Sequence, residues 1–421
     1  MSDESGALAS PASVPIAAGA ATTGVRPADL GRRNRRLLTW TIGAYVVVLS
    51  ALMIVQGISI TPDVMLIGLG LAAVLLGRGR LFARDWVPFI GLFLAYELMR
   101  GYADDLGGSV HVADVLALER WLFAGLLPTQ VLQDTLHPAT GSDPWAILGT
   151  IFYLLHFPLP IAVAFFLWLR RRRAYYDYIA ALILLSMAGF VTYLLLPVAP
   201  PWWAAEQGLI NGPGGAPAIT YLKPQGFDDL ARFFGFEGRF LFSYAIYEIN
   251  PNAVAAFPSL HGAYPFLAFL FTRRQFGRPG WLMLLYGAGV WFSVVYLADH
   301  YVVDVLGGVV YAVLAYIAVV HAPGWFRRAV DRAADPTIEA VVEAAEAGDE
   351  TALRRLPGRV RWPQVRQGLA LMAVGALGIV AMAWFNAFGG DDTPQFLVPW
   401  AFEIAGTLRV ATGLLARPAT P

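Results

Sequence analysis

Apolar runs long enough to cross a bilayer recur along this chain, and the loops between them alternate between arginine-rich and arginine-poor. That alternation constrains the fold more than any other feature. A helix needs about 20 apolar residues to span the hydrocarbon core, and only helices or closed barrels satisfy their backbone groups there. Runs of this kind fall near 37–56, 62–77, 86–100, 145–169, 175–197, 257–272, 281–298, 302–321 and 365–388. The loops "GRRNRR" (31–36), "RGRLFARD" (78–85), "RRRR" (170–173), "RRQFGR" (273–278) and "WFRRAVDR" (325–332) all fall on one side. The opposite loops carry chiefly Arg120, Lys223, Arg232 and Arg239. By the positive-inside rule the arginine-rich side is cytoplasmic. The expectation is an all-α, polytopic integral membrane protein of about nine transmembrane helices, with its N-terminus in the cytoplasm and residues 101–144 and 198–256 outside.

Composition agrees. The chain is 57% hydrophobic and 14% charged, with a mean hydropathy of +0.57, where a soluble domain is about a quarter charged. Thirty basic and thirty acidic residues balance, so overall charge points to no nucleic-acid partner. There is no cysteine, which excludes disulfides, thiolate nucleophiles and Cys-based metal sites. Residues 1–36, rich in Ala, Ser, Gly and Pro up to position 31, form an expected disordered cytoplasmic tail. Two flanking spans (37–85) precede a six-span core (86–321). A cytoplasmic linker (322–364), helical over 337–356, leads to a final span and an interfacial C-terminal segment (365–421). In the outer loop, 111–137 has apolar residues at helical spacing around Glu119 and Arg120, and is expected to lie flat on the membrane surface.

Of the six histidines, two gain meaning from this topology. His261 opens the sixth run, and His300 lies where the seventh leaves the membrane and the eighth enters. Both fall on the outer side, and a two-span hairpin joins them, so they can meet. His300 and Asp304 are four apart and share a face if that stretch is helical. A carboxylate on one imidazole nitrogen fixes the tautomer and leaves the other nitrogen as nucleophile or base. A second histidine across the gap can then protonate a leaving group. Ser259 suits a helix N-cap, whose first-turn N–H groups form an anion site. Ionisable groups in spans cost about 2.5–3.5 kcal/mol to insert and mark function by default. Taken singly, each of these residues is as well explained by capping or structural hydrogen bonding; together, on one face and one side, they point to an active site.

These residues also resemble a known family. "PSLH" (258–261) followed by "HYVVD" (300–304) resembles the second and third signature motifs of the phosphatidic acid phosphatase type 2 superfamily. "PSLHGAYP", "DHYVVDVLGG" and, ahead of them, "LLPVAPPWW" (195–203) are most similar to its aureobasidin-resistance branch, whose members include inositol phosphorylceramide synthases. The resemblance covers roughly residues 86–321. It implies that His300 is a nucleophile forming a phosphohistidine, that Asp304 orients it, that His261 is the acid on the leaving group, and that Ser259 contacts phosphate oxygens. Three departures stand out. Leu260 replaces the usual glycine of the second motif, Ser293-Val294 replaces a Ser-Arg pair, and the Lys/Arg-rich first motif is missing.

Cationic partners for phosphate are sought among Arg100, Lys223, Arg232 and Arg239, with Arg239 and Arg100 preferred, although each also suits a headgroup anchor. His156, in "FYLLHFPLP", either lines the cavity or makes a structural bond near the Pro158–Pro160 kink. Trp202 and Trp203 are read as part of the aromatic belt. The resulting expectation is a lipid phosphotransferase at the outer leaflet of the plasma membrane, acting without metal or cofactor on a membrane lipid, with a phosphoinositol lipid as a candidate donor. A lipid phosphate or polyprenyl pyrophosphate phosphatase is the alternative. A non-catalytic lipid-phosphate binding or flipping protein, and a structural multi-span scaffold, are the rivals of other classes.

Overall fold

The computed structural model describes residues 62–75, 79–100, 109–156, 158–211, 219, 223–234 and 254–335, with isolated positions beyond. The tail, the run at 37–56, Arg239, most of 337–356, the final run and the segment at 396–415 lie wholly or largely outside the described residues. Thirteen helices are described: α1 (Pro62–Leu75), α2 (Gly79–Arg100), α3 (Ala113–Leu122), α4 (Pro128–Leu136), α5 (Pro144–Leu155), α6 (Pro158–Arg170), α7 (Arg172–Leu195), α8 (Pro201–Glu206), α9 (Lys223–Phe234), α10 (Leu260–Phe276), α11 (Trp281–Tyr296), α12 (Val302–Val320) and α13 (Gly324–Ala334). Among the described residues there is no strand, only isolated bridges.

Three segments are long and apolar enough to cross a membrane: α7, α11 with the turn before it, and α12. The bent pair α5–α6 makes a fourth if it is one span. This is the fold of a multi-pass membrane protein. The surface agrees, since Leu282, Leu285, Leu306, Val310, Leu314 and Ile317 are all exposed, which suits lipid as the solvent.

Two sequence expectations are corrected. The basic loop expected at 78–85 is mostly helix, because α2 starts at Gly79 and runs for 22 residues. The run at 145–169 is not one straight span. It breaks at His156, with a 45° bend between α5 and α6. Pro158 lacks the N–H that would continue the ladder, and its ring clashes with the preceding turn.

The main core gathers side chains from α1, α2, α6, α7, α10 and α12. A second core, around Val290 and Val294 of α11, takes in residues of α5 and α9. A third, smaller one holds Leu116, Leu127, Ala204, Ala298 and Tyr301, so α3 and α8 pack on the loop that carries His300. The segment "LLPVAPPWW" ties these pieces together. Val198 bridges both His111 and Ala255, and the Trp202 N–H donates to the Ala298 carbonyl at 2.9 Å. One short segment thus holds the approaches to both candidate histidines.

Candidate active site

His261 is the second residue of α10, whose N-cap is Ser259. The Ser259 hydroxyl accepts from the Gly262 N–H at 3.1 Å and is fully buried. Leu260 is turned into the main core, against Gly189 of α7. α10 docks directly on α12. The Ser259 N–H donates to the Asp304 carbonyl at 3.0 Å, and a Cβ on Gly308 would stand 2.1 Å from the Ser259 carbonyl oxygen. The second glycine of "DHYVVDVLGG" therefore sets the distance between the two motifs, since only a residue without a side chain permits that approach.

His300 is not on a helix. α12 begins at Val302, with Tyr301 as its N-cap, so the expected helical pairing of His300 with Asp304 is replaced by a turn. The Val294 carbonyl accepts from the N–H groups of both Asp299 (2.8 Å) and His300 (3.0 Å), and Ala298 takes a left-handed φ of 60°. Asp304, fully buried, accepts the Tyr301 N–H at 2.8 Å and lies 3.7 Å from His300 Nδ1. One carboxylate thus starts the helix and faces the imidazole. On the other side, His300 Nε2 is 2.9 Å from His261 Nδ1. Thirty-nine residues apart in sequence, the two histidines are in hydrogen-bond contact.

His156, at the α5–α6 break, packs against the His261 ring with centroids 4.0 Å apart. Its Nδ1–H donates to the Tyr153 carbonyl at 2.5 Å. Both readings of this residue meet here: it makes a structural bond at the kink and also borders the histidine pair. Arg100 is the last residue of α2, and Lys223 the first of α9. Arg232 is paired with Asp229 at 3.7 Å. Trp202 is partly buried in the third core.

Sequence reasoning missed three residues. Tyr153 stacks on His261 at 5.1 Å. Asp299, buried beside His300, places a carboxylate oxygen 3.9 Å from His261 Nδ1 and 4.0 Å from His300 Nε2. Donor atoms of His261, Asp299 and His300 all lie within 4.8 Å of one another, a set able to hold a transition-metal ion. Glu119, read as part of a surface helix, is fully buried and accepts the N–H groups of Val302 (2.9 Å) and Val303 (3.0 Å). It caps α12 from a different element. Burial raises its carboxyl above the usual range, against the opposing pull of those two donors. The signal available for both acids was position: one adjoins His300, and the other is a lone carboxylate in an apolar stretch.

The profile of the PAP2 superfamily matches residues 113–318, a segment that contains every described element of this site. Residues 113–318 are thereby assigned to the PAP2 superfamily. The phosphoinositol dihydroceramide synthase of Bacteroides thetaiotaomicron is 29% identical over 243 residues, which is 55% of this chain and 74% of that protein. The inositol phosphorylceramide synthase catalytic subunit of Saccharomyces cerevisiae is 26% identical over 241 residues, 56% of this chain and 57% of the yeast protein. The chain therefore spans little more than half the length of the yeast relative it matches. An undecaprenyl-diphosphatase of Bacillus subtilis is 36% identical over 83 residues, 19% of this chain and 42% of that protein. No solved structure matches. These similarities bear out the expected branch of the PAP2 superfamily and, with it, an enzyme of the PAP2 phosphotransferase type.

Proposed function

We propose that this PAP2 protein is a membrane lipid phosphotransferase that works through a phosphohistidine on His300 and moves phosphoinositol, or a similar phospho-headgroup, to a lipid or sugar hydroxyl. The observation that carries the reading is the contact of His261 with His300, with Asp304 behind His300. The relatives named as phosphoinositol and inositol phosphorylceramide synthases support the choice of group.

The chemistry follows from the nitrogen positions. Asp304 faces Nδ1 of His300 and favours the tautomer whose proton sits there, so Nε2 keeps its lone pair. That Nε2 attacks phosphorus, the bond from phosphorus to the leaving lipid oxygen breaks, and the oxygen takes a proton from His261. The acceptor hydroxyl then attacks phosphorus, its proton passes to His261, and the P–N bond breaks. Nε2 cannot hold its hydrogen bond to His261 and attack phosphorus at once, so entry of phosphate exchanges that contact for the reacting one.

The reading places the site on the extracytoplasmic face of the plasma membrane, in a six-span core over residues 86–321 within about nine membrane helices. The tail and linker are cytoplasmic, Ser259 and His156 border the substrate site, and Arg239 and Arg100 are the cationic partners proposed for phosphate. Purified protein in detergent, given a labelled phosphoinositol lipid and a ceramide-type alcohol, is expected to form a new labelled lipid and, under single turnover, an acid-labile adduct absent from His300→Ala. Full activity of His300→Ala overturns the assignment.

The match to a diphosphatase supports a second reading, with water as the acceptor. Release of phosphate that does not fall as an alcohol is added would favour it. Binding of the lipid with no turnover of any kind would favour a non-catalytic carrier.

A further inference from the structure

We infer that Asp299 is a charge filter that makes this site select phosphodiesters over phosphomonoesters. This rests on the reading of His300 and His261 as the phosphate-handling pair and deepens it by naming what fixes the substrate class. Asp299 sits in the same turn as His300. Its carboxylate is 4.0 Å from the nitrogen assigned to attack and 3.9 Å from the histidine across the gap, and it is 7% exposed. A phosphorus atom bonded to His300 Nε2 therefore comes within a few ångströms of a carboxylate held away from bulk water. A second carboxylate, Asp304, stands 3.7 Å behind the same imidazole. The position six residues before His300 is no cation but Val294, fully buried in apolar surroundings. His156 packs on His261 from the far side.

The Asp299 carboxylate, close to two imidazoles, adds a repulsion that grows with an anion's charge whatever cations complete the site, and screening by water is weak at such range. A phosphomonoester carries about −1.5 to −2 at neutral pH, while a diester carries a single charge. The penalty therefore falls about twice as hard on the monoester. The carboxylate also lacks a proton to give to phosphate oxygens, yet it accepts hydrogen bonds from hydroxyls. A polyol esterified to phosphorus supplies such donors. Repulsion of the second charge and acceptance of a headgroup hydroxyl act in the same direction, towards a phosphodiester with a polyol headgroup.

The test compares phosphatidylinositol, a diester, with phosphatidic acid, a monoester, in mixed micelles with the full-length protein. The wild type is expected to prefer the diester. Asp299→Asn, which raises the site's charge by one at nearly constant shape whatever else Asp299 touches, should shift the ratio of kcat/KM tenfold or more towards the monoester. Asp299→Glu should keep the wild-type order. A ratio that stays within threefold, or two activities that fall together, overturns the inference and leaves Asp299 a structural residue.

Binding of both lipids to His300→Ala, with and without Asp299→Asn, reads the same ratio without turnover. Discrimination that persists while the unaltered protein turns over neither lipid sinks the transferase reading and not this one. If Asp299→Asn does not fold, the pH dependence of the binding ratio in His300→Ala decides. The binding ratio should converge as pH drops below about 6, where the monoester loses its second charge. A ratio flat with pH overturns the filter.

Discussion

Asp304 binds a backbone N–H with one oxygen while facing His300 across 3.7 Å, so its position follows from how α12 starts. The roles of the two histidines separate by leaving group. His261→Ala should lower turnover of a lipid donor about 10²–10⁴-fold, the usual contribution of a proton donor. A donor with an activated phenolic leaving group should recover most of that loss in His261→Ala and none of it in His300→Ala. Equal recovery in both would show that the residues are not acid and nucleophile. At this scale the site was half legible. His261, His300 and Asp304 stood out as ionisable groups at membrane rims. Asp299, Tyr153 and Glu119 did not, because nothing local marks a side chain as facing one particular partner. Leu260, which stands where the second motif usually has glycine, packs its side chain into the main core.

Two elements are held in place by features that belong to neither of them. Glu119 on α3 closes the first turn of α12, so Glu119→Ala strands two N–H groups, at a cost of about 1–3 kcal/mol each where buried. Chemical unfolding in detergent measures it, and Glu119→Gln, which keeps one acceptor, should lose less. The pH dependence has a definite sign. The raised carboxyl means that folding favours its protonated form. Its contribution is thus fully present below the unfolded value, about 4.3, and declines as pH rises through the raised folded value. Melting curves across that window should therefore be flatter for Glu119→Gln than for the unaltered protein. Gly308 governs the other contact. A methyl group there meets the Ser259 carbonyl oxygen, so Gly308→Ala should push α10 from α12, costing about 1–3 kcal/mol by overpacking and most of the turnover. Unchanged activity in this variant would mean that the spacing of the two motifs is not critical.

Over the whole molecule, a second buried polar centre joins α2 to α6, α7 and α13, well apart in sequence from the histidines. Asp85 accepts from Arg172 (2.7 and 2.8 Å), the Trp168 indole (2.8 Å) and the Tyr176 hydroxyl (2.6 Å), while Arg172 also donates to the Ala334 carbonyl at 3.1 Å. Removing one partner of such a pair strands a buried charge at about 3–5 kcal/mol. Asp85→Ala should lower thermal stability by that order and leave kcat per folded molecule within about twofold. Chelation gives a test of the overall mechanism: turnover should survive EDTA, whereas added Zn²⁺ should inhibit by competing for the donors of His261, Asp299 and His300. Abolition of turnover by EDTA would make the metal-free route untenable. By itself the sequence determined the helical, multi-pass character of the chain, because apolar runs of bilayer length have no other stable form in lipid. It also determined which histidines to compare, through arginine placement and two short motifs. Tertiary structure alone decided that the Asp299 carboxylate stands beside His261 and that the Glu119 carboxylate caps the start of α12. Those contacts join residues many positions apart, and only the packing of α3, α10 and α12 brings them within hydrogen-bond or ion-pair reach.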